Sequence, residues 1–296
     1  MKEETKNVIF QAYTDVLEDN KLIILTTATT FIHSLIITGY IIWQIYIFLN
    51  WADLNISIQM SSIFLNYVKQ LVQSPWRTTF LIIWGIIALV AYLLLPPIGY
   101  SAIIYRISGK TGDSIFESIW KWMLKFFPMF EFFGMISIFS PFLIFITISR
   151  LYFMGILDQT LIQIILVIRS LLSFFTSFFL AYAPFIIVLE DQPVLTAIRE
   201  SSQLALLHIK TTFKFLVLKY FLAIRFIINI LILLGIPMFV AFVALKSWVN
   251  QPLVHTILSF LFVGAFFLIA YINWIIEAFF ISYWYIIYTY IKKIGE

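Results

Sequence analysis

The sequence predicts an all-α, polytopic integral membrane protein, with six transmembrane helices forming three helical hairpins, each preceded by a cytoplasmic amphipathic helix. Three observations carry that expectation. Of 296 residues, 62% are hydrophobic and 11% are charged, and the mean hydropathy is +1.00, which no water-soluble domain of this size requires. Six apolar runs each reach the ~20 residues that a helix needs to cross a bilayer core. Lysine and arginine also sort by segment: thirteen fall on the side of the N-terminus, the second and fourth connections and the C-terminus, four on the other side, and two inside the membrane. Basic residues favour the cytoplasmic side, so both termini are expected in the cytoplasm of a multi-pass cell-membrane protein.

The elements follow in order. Val8, Ile9, Ala12, Val16 and Leu17 recur at helical spacing ahead of the first apolar run, 22–49. That run is too long for a signal-peptide core, follows an acidic segment (Glu3, Glu4, Asp15, Glu18, Asp19) and precedes no small-residue cleavage site, so it is expected to stay as an anchor. The external connection 50–76 places Met60, Ile63, Phe64, Tyr67, Val68, Leu71 and Val72 at helical spacing, which suggests a further surface-lying helix. The second run is 78–105. Ile115, Phe116, Ile119, Met123, Phe126 and Phe127 then outline a second amphipathic segment before runs 126–148 and 161–189. A third segment is expected to begin with Asp191 as N-cap and Pro193 just inside the helix. Val194, Ala197, Ile198, Leu204 and Ala205 share one of its faces, and runs 215–245 and 253–291 follow.

This order divides the single membrane domain into repeat-like units 5–107, 113–190 and 191–292. Glu117-Ser118 and Glu200-Ser201 recur between units, as do Ala91-Tyr92, Ala181-Tyr182 and Ala270-Tyr271. Amphipathic helices of this kind lie along the headgroup boundary, with Lys121, Lys125 or Lys210 near phosphate, or simply end the hairpins and set their tilt.

The stretches DVLEDNKLIIL, SIFESIWKWMLKFF and VLTAIRESSQLALLHIKTTFKFL resemble the helix-then-hairpin repeats in the membrane domain of bacterial glycerophosphodiester phosphodiesterases and related uncharacterised six-helix proteins. The resemblance covers most of the chain, in pattern more than in motif. It implies a lipid-associated bacterial membrane protein. The soluble catalytic domain of those enzymes has no room in this chain, so the resemblance carries no hydrolase activity with it.

Several enzyme-like signals fail on chemistry. Ser108-Gly109-Lys110-Thr111 contains the end of a phosphate loop, but Ile104 stands where that loop needs glycine, and a cytoplasmic turn is expected instead. His33, His208 and His255 fall on separate segments without metal-ligand spacing, there is no HExxH, and each is expected to be a packed or interfacial histidine. Gly99-Tyr100-Ser101-Ala102 lacks the second glycine of a nucleophile elbow. With no cysteine there is no thiolate chemistry. The reading is therefore non-enzymatic, with no catalytic residue, metal or cofactor. The net charge of +4 is read as topology and attraction to anionic lipid, with no nucleic-acid partner.

Polarity inside the bilayer remains, where a central charge costs ~2.5–3.5 kcal/mol on insertion scales. The candidate ligand-binding residues are Arg169, Arg225, Glu277, Asn229 and Asn273, while Gln44, His33, Glu131 and Lys219 lie nearer the edges. Pro96, Pro97, Pro141, Pro184 and Pro237 interrupt four of the helices, which makes a bundle with an internal polar space plausible. Arg169 lies eight residues beyond Leu161, about 12 Å along the helix, and either snorkels or bonds to carbonyls freed near Pro141, or binds an anionic headgroup. Arg225 and Asn229 are spaced i,i+4, as are Asn273 and Glu277, and both cross-pairs are symmetric about Gln251. Arg225 is thus expected to face Glu277, and Asn229 to face Asn273, as a register lock or as a gated proton or substrate site. Two functions follow: binding or moving an anionic lipid or other amphiphile within the bilayer, or serving as a non-catalytic scaffold or accessory subunit for a membrane protein partner.

Overall fold

The computed structural model describes residues 2–19, 22, 75–109, 117, 120, 123–137, 159–230 and 252–295. Among these residues every regular element is a helix: α1 (Lys2–Glu18), α2 (Pro75–Ile107), α3 (Phe126–Ser137), α4 (Gln159–Phe179), α5 (Ala183–Leu189), α6 (Val194–Leu207), α7 (Ile209–Ile230) and α8 (Pro252–Gly295). The expected surface helix within 50–74, nearly all of run 22–49, and the ends of runs 126–148 and 215–245 lie outside the described residues.

Among the described residues one stretch, Thr160–Leu189, is long and apolar enough to cross a membrane, with a mean hydropathy of 2.1 over its most apolar window. It is interrupted once. The helix stops at Phe179, turns through Leu180–Tyr182 and restarts as α5 with Pro184 in its first turn, where a missing N–H costs nothing. The break frees the Phe179 carbonyl and the Tyr182 N–H, and Ser201 of α6 takes both: its Oγ donates to Phe179 O at 2.6 Å and accepts from Tyr182 N at 3.1 Å. The repeated Glu-Ser pair thus marks, at this copy, a serine that mends a helix break.

The core lies at one end of the bundle. Ala12 and Val16 of α1, Ile103 and Ile104 of α2, Met129 and Phe132 of α3, nearly all of α5, Val194, Ala197 and Ala205 of α6, Phe215 and Leu216 of α7, and the inward residues of α8 from Ala278 to Ile291, Tyr283, Trp284, Ile287 and Tyr288 among them, form one buried cluster. The expected apolar faces of α1 and α6 largely face it. Leu17, however, is exposed, and α6 starts later than the sequence suggests. Its N-cap is Pro193, without a side-chain cap, whereas Asp191 sits in a left-handed turn at φ 64°. In that conformation, two residues ahead of the N-cap, Asp191 does not cap the helix, and its exposed carboxylate pairs with Lys125. Gly109, at φ 67°, closes α2 as a C-terminal glycine should, and its N–H reaches Arg106 O at 3.2 Å, so Ser108-Gly109 form the expected turn, while Lys110 and Thr111 lie outside the described residues.

Away from this core the helices present apolar side chains outward. Ile82, Ile83, Ile86, Ile87 and Val90 on α2, and Ile164, Val167, Ile168, Leu171 and Leu172 on α4, are all exposed. Stripes of this size are far larger than a water-facing surface normally carries.

Three ion pairs bind the core layer at its edge. Arg106 grips Asp19 in fork fashion, Nε to Oδ2 at 2.6 Å and Nη2 to Oδ1 at 3.2 Å, while Asp19 Oδ1 also accepts the Leu22 N–H. Lys125 pairs with Asp191, and Glu190 accepts from both Lys292 and the Tyr288 hydroxyl. These contacts join the N-terminal segment to the end of α2, the start of α3 to the end of α5, and the end of α5 to the end of α8.

Candidate functional site

The last hairpin shows how a register can be right while a rotation is not. α7 packs on α8 through Phe226–Phe279 at 5.9 Å, Phe215–Tyr283 at 6.0 Å and the Lys219 ammonium over Trp284 at 6.0 Å. The midpoints of these pairs, 252.5, 249 and 251.5, all fall within about two residues of position 251, the symmetry point that the charged residues suggested. The expected contact between Arg225 and Glu277 is nevertheless not made. Arg225 is exposed, on an outward stripe with Phe221, Ile224 and Ile228, and no ion pair joins it to Glu277. Thr212, Phe215, Leu216, Lys219, Leu222 and Phe226 form the inward stripe instead. Burying two phenylalanines against α8 sets the rotation of α7, and Arg225 follows from it, since an i,i+4 spacing places residues on a common face without saying which face turns inward.

Glu277 is half-buried on α8 and lies within electrostatic range of the Tyr100 phenol on α2, whose ring meets Phe133 of α3 edge-on at 5.5 Å. Arg169 is half-buried on α4 between the exposed pairs Val167-Ile168 and Leu171-Leu172. Asn229 lies on α7 and Asn273 on α8, and their side chains are outside the described set, so the expected contact between them is too. The five candidate residues therefore occupy three helices, and of them Arg225 and Glu277 face different surroundings.

What the helices do converge on is an aromatic and hydroxyl cluster. Tyr182 is fully buried, its hydroxyl 2.8 Å from that of Thr212, with its ring 5.8 Å from Trp284 and 6.2 Å from Tyr288. Tyr283, also fully buried, donates to Phe215 O at 2.8 Å. Beside these satisfied hydroxyls, the Lys219 ammonium lies 5.7 Å from the Phe280 ring centre and 6.0 Å from that of Trp284. The Ala-Tyr recurrence pointed at Tyr182, whereas Tyr271, from the third such pair, is exposed. The signal for Lys219 was available as well: Phe215, Leu216 and Lys219 lie at i, i+1 and i+4 on an otherwise core-facing stripe.

At the edge of this cluster, Ser282 donates to Asp15 Oδ2 at 3.1 Å and so docks α1 on α8. Burial pushes the Asp15 carboxyl above the ordinary aspartate range, with Glu18 adding to the rise and the Ser282 bond opposing it. A raised folded-state pKa means that the fold binds the proton more tightly than the unfolded chain does. The resulting stabilisation is complete below roughly pH 4 and is lost as pH rises through the folded value. Asp15→Asn should therefore gain thermal stability over the parent at pH 7 relative to pH 4, measured in detergent. A difference independent of pH would show that Asp15 is not held in this way.

No group of three or more His, Asp or Glu able to hold a metal occurs among the described residues. Among the described side chains the candidates are thus two arginines and one carboxylate, each on a largely apolar helix. No family model, curated protein or solved structure matches the chain.

Proposed function

We propose that the chain is a six-span membrane protein, both termini cytoplasmic, that binds an anionic lipid or similar amphiphile and presents or moves it within the bilayer without hydrolysing it. The observation that carries this is Arg225, a guanidinium exposed on an apolar stripe of α7, 66%, 53% and 49% exposure marking its neighbours Phe221, Ile224 and Ile228. Facing lipid, such a charge is costly unless an anionic group meets it, and a phosphate headgroup is the anion a bilayer supplies. Arg169, half-buried on the apolar helix α4, is a second arginine of the proposed set, which also includes Glu277, Asn229 and Asn273.

The six-span reading is supported by element length. At 33 and 44 residues, α2 and α8 run to about 50 and 66 Å, beyond the ~30 Å of a hydrocarbon core. It is also supported by the three ion pairs, which join the N-terminal segment, the second and fourth connections and the C-terminus, the four segments that the basic residues place on one side. The likeness of these segments to the membrane domain of glycerophosphodiester phosphodiesterases points the same way. One feature favours the second reading, a scaffold for a membrane protein partner: Phe10, Tyr13 and Leu17 form an exposed stripe on α1, opposite the face that Ala12 and Val16 bury.

The test is lipid carried through purification. Mass spectrometry of the detergent-purified protein should find acidic lipid enriched over its share of the host membrane, and Arg169→Gln with Arg225→Gln should abolish the enrichment while leaving the protein folded. Co-purifying lipid in bulk proportion would sink the lipid-binding reading and leave the scaffold.

A further inference from the structure

We infer that two copies of this chain associate side by side in the membrane, Glu131 of one copy pairing with Arg225 of the other, and that anionic lipid at Arg225 competes with this contact. The association rests on the two charges alone, whereas the competition rests on the lipid-binding reading.

Both residues are exposed on outward apolar stripes. Glu131 lies on α3 among Phe127, Phe130, Gly134 and Met135, all exposed and turned away from the buried Met129 and Phe132. Arg225 lies on α7 with Phe221, Ile224 and Ile228, away from the Phe215, Leu216 and Phe226 stripe that packs inward. Among the described residues neither charge makes a hydrogen bond or an ion pair within the chain. Charges on membrane helices are met by a partner, because the bilayer core solvates them so poorly. An anionic lipid answers Arg225 but brings no cation to Glu131. A second copy answers both, through the two parallel hydrogen bonds that a guanidinium and a carboxylate can share.

The two charges also stand at nearly one level in the bundle. Phe226, next to Arg225, meets Phe279 of α8 at 5.9 Å; Glu277, two residues from Phe279, is within electrostatic range of Tyr100 on α2; and the Tyr100 ring meets Phe133 of α3 at 5.5 Å. Followed from helix to helix, these contacts put Arg225 level with Phe133 to within about one helical turn, ~5 Å, and Glu131 is only two residues, ~3 Å, from Phe133. Copies inserted with the same orientation therefore present the two charges to each other at a common depth. Gly134 gives the approach room: a Cβ built there would meet nothing within 4 Å, so a neighbouring helix can come close beside Glu131. Because the two faces differ, the contact is made either twice about a twofold axis or head to tail.

The experiment is energy transfer between full-length chains in phosphatidylcholine liposomes, donor and acceptor being attached at Lys293→Cys, since the chain has no cysteine of its own. The parent should show transfer that rises with protein density. Glu131→Arg alone and Arg225→Glu alone, which set like charges against each other, should each weaken association about tenfold or more, as expected for losing a charge-assisted contact. Mixing the two variants restores opposite charges at both contacts and should restore the transfer. Glu131→Gln and Arg225→Gln, which only neutralise, should each weaken it as well, so the test stands even if a reversed charge disturbs folding. Replacing phosphatidylcholine by phosphatidylglycerol should lower transfer in the parent, while Glu131→Gln keeps the acidic lipid that the parent carries through purification. Neutral variants that associate as the parent does, or reversed variants that do not recover on mixing, would overturn the pairing and leave the lipid-binding reading standing. Recovery on mixing without any effect of phosphatidylglycerol would keep the pairing and overturn the competition.

Discussion

Tyr182→Ala should be among the most damaging single changes in the described structure, costing ~3–5 kcal/mol by analogy with other fully buried aromatic truncations. The ring is entirely inaccessible and touches elements remote in sequence: it stands edge-on to Trp284 and tilted against Tyr288 on α8, while its hydroxyl bonds Thr212 on α7. Removing it opens a cavity where α5, α7 and α8 meet. Tyr182→Phe separates the ring from the hydroxyl. It keeps the packing and strands the buried Thr212 hydroxyl, and so should cost about 1 kcal/mol. Thermal or denaturant unfolding in detergent distinguishes them. Equal losses for Ala and Phe would mean that the hydroxyl pair, and not packing, holds the junction. A stable Tyr182→Ala protein would mean that the cluster is not the core.

Ser201→Ala should rank close behind, at roughly 2–4 kcal/mol, although it deletes a single oxygen. That oxygen serves both the Phe179 carbonyl and the Tyr182 N–H at the break between α4 and α5; the buried N–H would be left without its partner at ~1–3 kcal/mol, and the part-buried carbonyl would add about 1 kcal/mol. The neighbouring Ser202 supplies the control. Its hydroxyl bonds Ile198 O within its own helix, a carbonyl that the helix already uses, so Ser202→Ala should be nearly silent. Similar losses from the two serines would remove the special role given to Ser201. Because Ser201 and Tyr182 support the same junction, the double mutant Ser201→Ala, Tyr182→Ala should lose less than the two single losses added together.

Both residues were visible in the sequence as members of recurring dipeptides, Glu200-Ser201 and Ala181-Tyr182, but recurrence does not state what a residue does. The hydroxyl of Ser201 becomes important only once Phe179 and Tyr182 leave the helix, and that depends on where Pro184 forces the restart. Asp191 illustrates the opposite error. Local rules make it an N-cap, yet its backbone takes a left-handed turn at φ 64°, its carboxylate pairs with Lys125, distant in sequence, and the helix begins two residues later than the cap rule would have it.

Composition and periodicity alone determined that the described chain is helical and rich in long apolar segments, that the amphipathic helices α1 and α6 accompany them, and that α7 and α8 pair symmetrically about position 251, because these properties depend on the count and spacing of side chains along one chain. Rotation belonged to the tertiary structure. Both cross-pairs, Arg225 with Glu277 and Asn229 with Asn273, are symmetric about position 251, but the burial of Phe215 and Phe226 against α8 turns Arg225 outward and brings Lys219 between Phe280 and Trp284. Depth is one coordinate and rotation another. The first is counted along the helix, whereas the second is settled by which side chains bury the most surface against a neighbour that the linear sequence does not identify.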